Sequence, residues 1–191
     1  MFAGICASEM MKPSAVVVNT WSPASLSPPS VLDLSDARVR ADAAISGDYA
    51  NARSVKAISG KCYFSVYVTC SASGANVGAG VGDATWVSSN AAHYAGGSSG
   101  SGSLTVGLWG VNRSVYFNGS VIATAAGGFT SNAGYVQVAV DTATRKVWLR
   151  VGGAAWVGGG DPATGTLPTA TLSGSGALYV VATVSKLMGT S

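Results

Sequence analysis

The sequence predicts an all-β protein, an antiparallel β-sandwich with a short N-terminal arm, on three observations. Apolar residues alternate with period two along most of the chain, and no long stretch repeats at helical spacing. The alternating runs are short and are separated by glycine-rich or Asn-Gly breaks, the punctuation of many short strands. No strand–helix–strand rhythm occurs, which a parallel sheet would require.

The elements follow in chain order. Residues 1–19 precede the alternating pattern and read as an arm, leaving residues 20–191 for the sandwich, with "WSPASLSPPS" (Trp21 to Ser30) as a Pro/Ser-rich lead-in loop. "LDLSDARVRADAA" (Leu32 to Ala44) carries the best helical signal, yet its polar and apolar residues alternate in short runs. In "KCYFSVYVTC" the residues Cys62, Phe64, Val66, Val68 and Cys70 share one parity, and Lys61, Tyr63, Ser65, Tyr67 and Thr69 share the other. "NVGAGVGDATW" sets Val77, Ala79 and Val81 on one side, and "SLTVGLW" groups Leu104, Val106 and Leu108. "SVYFNGSVIAT" is two short strands about Asn118-Gly119, the strongest short hairpin signal in the chain. "GYVQVAVDTATRKVWLRVGG" is a second hairpin, with Val136, Val138 and Val140 facing inward and a turn from Asp141 to Lys146. "GALYVVATVS" closes the domain with Leu178, Val180, Ala182 and Val184 on one face. Two long loops remain, Asn90 to Ser103 and Gly152 to Thr169, and loops of that length carry function or move.

Composition narrows the setting. The 191 residues suffice for one domain with a proper core. Charged residues make up only 10%, against about 25% in an average protein, which suits a β protein held in an assembly. The net charge of +3 is scattered, with no basic run interleaved with aromatics, so nucleic acid is not an expected partner. No stretch of about 18 apolar residues would insert into a membrane. The N-terminus lacks a basic region followed by a long apolar one, so no secretory signal is expected. If "KCYFSVYVTC" is one strand, Cys62 and Cys70 lie about 26 Å apart, beyond disulfide reach. With Cys6 in the arm, the cysteines read as buried thiols made in a reducing cell.

Catalytic and metal motifs are thin. The chain has one histidine, His93, and one glutamate, Glu9, and its aspartates occupy turn-like positions. No nucleophile elbow, CxxC, HxH or HExxH spacing occurs, so neither catalytic residues, a metal nor a cofactor are expected. "GAGVGDA" (Gly78 to Ala84) has glycines spaced like a phosphate cradle but is followed by Thr85-Trp86-Val87 instead of a helix; small residues letting sheets approach is the preferred reading. The remaining signal is aromatic. Trp86, Tyr94 and Trp156 lie in or beside glycine-rich loops, and with His93 they form a candidate binding patch for a glycan or protein. Alternatively each ring caps an end of the core.

The order "SGKCYFSVYVT", "VGAGVGDATW", "LWGVNRSVYFNGS", "GYVQVAVDTATRKVWLRVGGAAW", "GDPATGT", "LYVVATVS" resembles the SPRY domain series over about residues 20–186. The lead-in from Thr20 looks like the start of SPRY-like modules of bacteriophage virion proteins. Ser65, Ala133-Gly134 and Val151-Gly152-Gly153 depart from the family pattern, which loosens any transfer of its peptide-binding surface. The resemblance implies a concanavalin-like sandwich, a jelly roll of two antiparallel sheets without enzymatic activity. The expected function is that of a phage virion structural protein, a tail-fibre or head-decoration module for host-surface attachment or capsid decoration. It would be assembled in the bacterial host cytoplasm, with the arm contacting other virion proteins and the chain forming a homo-oligomer. The alternative is an intracellular SPRY-type module that binds a partner peptide. A carbohydrate-active enzyme on the same sandwich would need paired carboxylates, which the sequence does not offer.

Overall fold

The computed structural model describes residues 3–6, 16–18, 30–33, 38–41, 49–69, 76–84, 86, 94–97, 105–109, 113–127 and 133–185. They form two six-stranded antiparallel sheets and one separate hairpin. The strands are β1 (Ala3–Cys6), β2 (Val16–Val18), β3 (Ser30–Asp33), β4 (Arg38–Ala41), β5 (Tyr49–Arg53), β6 (Lys61–Thr69) and β7 (Asn76–Asp83). They continue with β8 (Thr105–Trp109), β9 (Ser114–Phe117), β10 (Ser120–Thr124), β11 (Ala133–Asp141), β12 (Lys146–Val151), β13 (Ala170–Thr171) and β14 (Leu178–Ser185). The first sheet has the order β13-β12-β11-β6-β1-β2, the second β10-β9-β8-β7-β14-β5, and β3 pairs with β4. The predicted antiparallel sandwich is what the chain forms.

Alternation decides which face each strand buries. Phe64, Val66 and Val68 of β6, Val136, Val138 and Val140 of β11, and Val147, Leu149 and Val151 of β12 turn inward from the first sheet. Ala79 and Val81 of β7, Leu108 of β8, Val115 of β9, and Leu178 and Val180 of β14 meet them from the second. Each fully buried Val or Leu contributes about 1.5–3 kcal/mol relative to exposure, so this shared layer holds the two sheets together.

Turn chemistry sets the registers. Asn118 (φ 48°) and Gly119 (φ 86°) supply the two successive positive φ values of a tight β9–β10 hairpin. In the β11–β12 hairpin Asp141 Oδ1 accepts the backbone N–H groups of Ala143 (3.0 Å) and Thr144 (3.3 Å). The register then runs without a break from Asp141 opposite Lys146 to Val136 opposite Val151.

Two expectations need correction. Cys62 is disulfide-bonded, not a free thiol. The spacing argument compared positions along one strand only; β1 folds back onto β6 and puts Cys6 opposite Cys62 in the ladder. The glycines of "GAGVGDA" serve a different approach from the one expected. Ala79 and Val81 are the core residues of β7, so Gly78, Gly80 and Gly82 line its other face, where a Cβ on Gly82 would meet the Val181 side chain of β14 (3.1 Å) and the Trp86 side chain (3.2 Å).

Candidate functional site

The outer faces of the two sheets differ. Over β7, β8 and β14 the outer face of the second sheet is covered by Trp86 and the 94–97 segment. Trp86 packs with Ala95 and Val181 in a small buried cluster of its own, and a Cβ on Gly82 would lie 3.2 Å from the Trp86 ring. Ala95 rides directly on β8: a Cβ on Gly107 would fall 2.5 Å from the Ala95 carbonyl oxygen. Beneath this cover the Thr183 hydroxyl is matched, whereas the buried Trp86 Nε1–H has no hydrogen-bond partner among the described residues. Thr183 Oγ1 donates to Asn51 Oδ1 (2.6 Å) and accepts from Ala95 N–H (2.8 Å).

The outer face of the first sheet carries aromatic rings in the open. Its strand positions are the alternates of the core residues: Tyr63, Ser65 and Tyr67 on β6, Tyr135, Gln137 and Ala139 on β11, Trp148 and Arg150 on β12. Cross-strand register turns them into rows. Tyr67 sits opposite Tyr135, and Ser65, Gln137 and Arg150 line up across three strands. Tyr67 and Tyr135 are 47% and 49% exposed with ring centroids 5.0 Å apart at a tilt of 57°. One register step along, Arg150 Nε donates to Gln137 Oε1 (2.7 Å), and its guanidinium carbon lies 4.4 Å from the centre of the Trp156 ring. The same Trp156 stands edge-on to Tyr63, with centroids 6.3 Å apart and planes at 87°.

The long Gly152–Thr169 loop forms the border of this platform. It covers Trp148, which is 2% exposed and donates its Nε1–H to the Thr166 carbonyl (2.8 Å). Lys146 Nζ donates to the Gly165 carbonyl (2.9 Å), and Thr169 Oγ1 accepts the Leu149 N–H (3.0 Å). Asp161 keeps the loop tip closed, accepting from Ala163 N–H (2.9 Å) and Thr164 Oγ1 (3.0 Å). Trp156, at the start of this covering segment, is thereby fixed at the platform's margin and stays half-exposed.

The arrangement combines flat apolar ring surface with hydrogen-bonding edges. The guanidinium groups beyond Nε of Arg150, the two tyrosine hydroxyls and the Trp156 Nε1–H make no hydrogen bond among the described residues. They remain available to a ligand with both C–H faces and polar groups. The described aspartate side chains have other duties: Asp141 and Asp161 close turns, and Asp83 Oδ1 accepts the Trp86 backbone N–H (3.1 Å).

Of the four residues singled out from the sequence, the three that the structure describes are not gathered in one place. Trp86 is 1% exposed under the second sheet's cover. Tyr94 lies on that same side, half-buried and edge-on to Tyr116 with centroids 5.4 Å apart. His93 lies outside the described residues. Trp156 is on the opposite side of the molecule, in the platform. Sequence reasoning did not propose Tyr67, Tyr135, Gln137 or Arg150. The signal for the first was present, since Tyr63 and Tyr67 share the outward parity of their strand. No family model matches this chain, and no curated protein matches it.

Proposed function

We propose that this chain is a non-enzymatic recognition module of a bacteriophage virion, a SPRY-like tail-fibre or head-decoration sandwich that meets a saccharide of the host surface. The observation that carries the reading is the uncovered platform: paired Tyr67 and Tyr135 beside Arg150, Gln137 and Trp156. Saccharides present C–H faces that pack on aromatic rings and hydroxyls that accept from guanidinium and indole N–H groups. Aromatic rings and arginine are also the residue types that dominate recognition surfaces. The low charge of the chain, and the turn-closing duties of its described aspartates, support binding without turnover.

The test is the Tyr67→Ser, Tyr135→Ser double variant. Binding of the purified chain to envelopes of bacteria susceptible to the particles should fall at least tenfold. Both rings are about half exposed, so the melting temperature should fall by less than ~5 °C. Undiminished binding removes the platform from the reading, and absence of the chain from purified particles by mass spectrometry removes the virion. Binding that survives deglycosylation of the envelopes but is competed by a peptide would favour the intracellular peptide-binding alternative.

A further inference from the structure

We propose that Cys6 and Cys62 form an intrachain disulfide that staples the amino-terminal hairpin β1–β2 to the sandwich and seals the edge of its first sheet. Cys62 is disulfide-bonded, and the chain offers it two other cysteines, Cys6 and Cys70. Cys70 directly follows the end of β6, eight residues along, which is about 26 Å in an extended strand. A bridge needs Cα atoms within about 7 Å. Cys6 is the last residue of β1 and occupies the register position directly opposite Cys62. Facing positions of an antiparallel pair have Cα atoms about 4.5–5.5 Å apart, inside the range a disulfide spans.

The position of the bond tells what it does. β1 covers the edge of β6 from Cys62 to Ser65, and β2 then becomes the outermost strand. Without β1 that stretch would expose an open row of backbone donors and acceptors, a template for pairing with another chain. A ladder of four residues, backed by one of three, is short for an edge that must stay shut. Linking residues 6 and 62 closes a long loop and removes conformational freedom from the unfolded chain, favouring the closed edge.

The bond forms by exchange with a small-molecule disulfide. One cysteine thiolate attacks it and releases one thiol; the second cysteine then attacks the mixed disulfide and releases the other. The two cysteine sulfurs are oxidised, and the reagent is reduced to two thiols that take up the protons. In a reducing compartment the pair reverts to two thiols. Cys62 Sγ lies 2.9 Å from the Ser59 carbonyl oxygen, so the thiol proton then has an acceptor ready. The staple is therefore absent where the chain is synthesised in reducing cytoplasm and closes on transfer to oxidising surroundings.

The experiment uses the full chain incubated with oxidised glutathione, alkylated with iodoacetamide, digested and mapped by mass spectrometry without reduction. The expected result is a linked peptide pair containing Cys6 and Cys62, alkylated Cys70, and a monomer on a non-reducing gel. A phosphine reductant should lower the melting temperature by roughly 10 °C in the parent and in Cys70→Ser, and leave Cys6→Ser unchanged. Alkylation of both Cys6 and Cys62 after oxidation, a bridge to Cys70, a reductant-sensitive dimer, or an equal shift in Cys6→Ser would each overturn the assignment. The peptide map needs no variant, so a misfolded Cys6→Ser does not stall the test.

Discussion

Gly107 of β8 has a neighbour that leaves no room for a side chain. A Cβ there would lie 2.5 Å from the Ala95 carbonyl oxygen and 2.6 Å from its carbonyl carbon, both backbone atoms. In Gly107→Ala the 94–97 segment must therefore lift from the second sheet. Three interactions loosen when it does: the Ala95 N–H bond to Thr183 Oγ1 (2.8 Å), the Gly119 N–H bond to the Gly96 carbonyl (2.8 Å), and the Tyr94–Tyr116 edge contact. Two hydrogen bonds at about 1 kcal/mol each and an aromatic pair at about 0.5–1.5 kcal/mol give a loss near 3 kcal/mol. Replacing Gly by Ala in a strand returns about 0.5–1 kcal/mol of backbone entropy. The net destabilisation is about 2–3 kcal/mol, a fall of about 5–10 °C in melting temperature for a domain of this size. Thermal unfolding followed by circular dichroism measures it, with Gly153→Ala as the control because nothing lies within 4 Å of a Cβ at Gly153. If Gly107→Ala melts within 2 °C of that control, the segment does not rest on β8 and the covered outer face is misassigned.

Two further substitutions check the turn and the loop border. Gly119→Ala places a side chain at φ 86° in the β9–β10 turn and should cost about 1–2 kcal/mol, read as a melting shift of about 2–8 °C. Trp148→Phe removes the N–H donor held by the Thr166 carbonyl. It should raise the rate of limited proteolysis between residues 161 and 168 several-fold while leaving the far-ultraviolet spectrum unchanged.

What could be read in the sequence was local. Asn118-Gly119 announces its hairpin because two adjacent residues supply both positive φ values. The inward run of Phe64, Val66 and Val68 follows from period two alone, whatever the strand pairs with. What could not be read depends on partners far along the chain. Tyr67 and Tyr135 become a pair only through the β6–β11 register, and Arg150 joins them only through the next one. Trp86 read from the sequence either as a loop ring for binding or as a cap on the core; Val181, which helps bury it, lies on β14, far along the chain. Cys62 looked like an isolated thiol because nothing in residues 1–19 alternates strongly enough to announce a strand. Trp156 was singled out because its glycine-rich surroundings marked it, but the rings and side chains beside it were not.

The placement of β14 bears on how the chain folds. This last strand lies between β7 and β5, pairing with both, and ties Val180 to Ser54 and Thr183 to Asn51. Until residues 178–185 have been synthesised, β5 lacks its neighbour in the second sheet and cannot join it. The second layer therefore closes only after residues 178–185 have left the ribosome. A chain truncated before β14 keeps apolar side chains such as Ala79, Val81 and Leu108 without the strand that completes their layer. Contacts between strands as far apart in sequence as β5 and β14 slow folding relative to a sheet built from sequence neighbours.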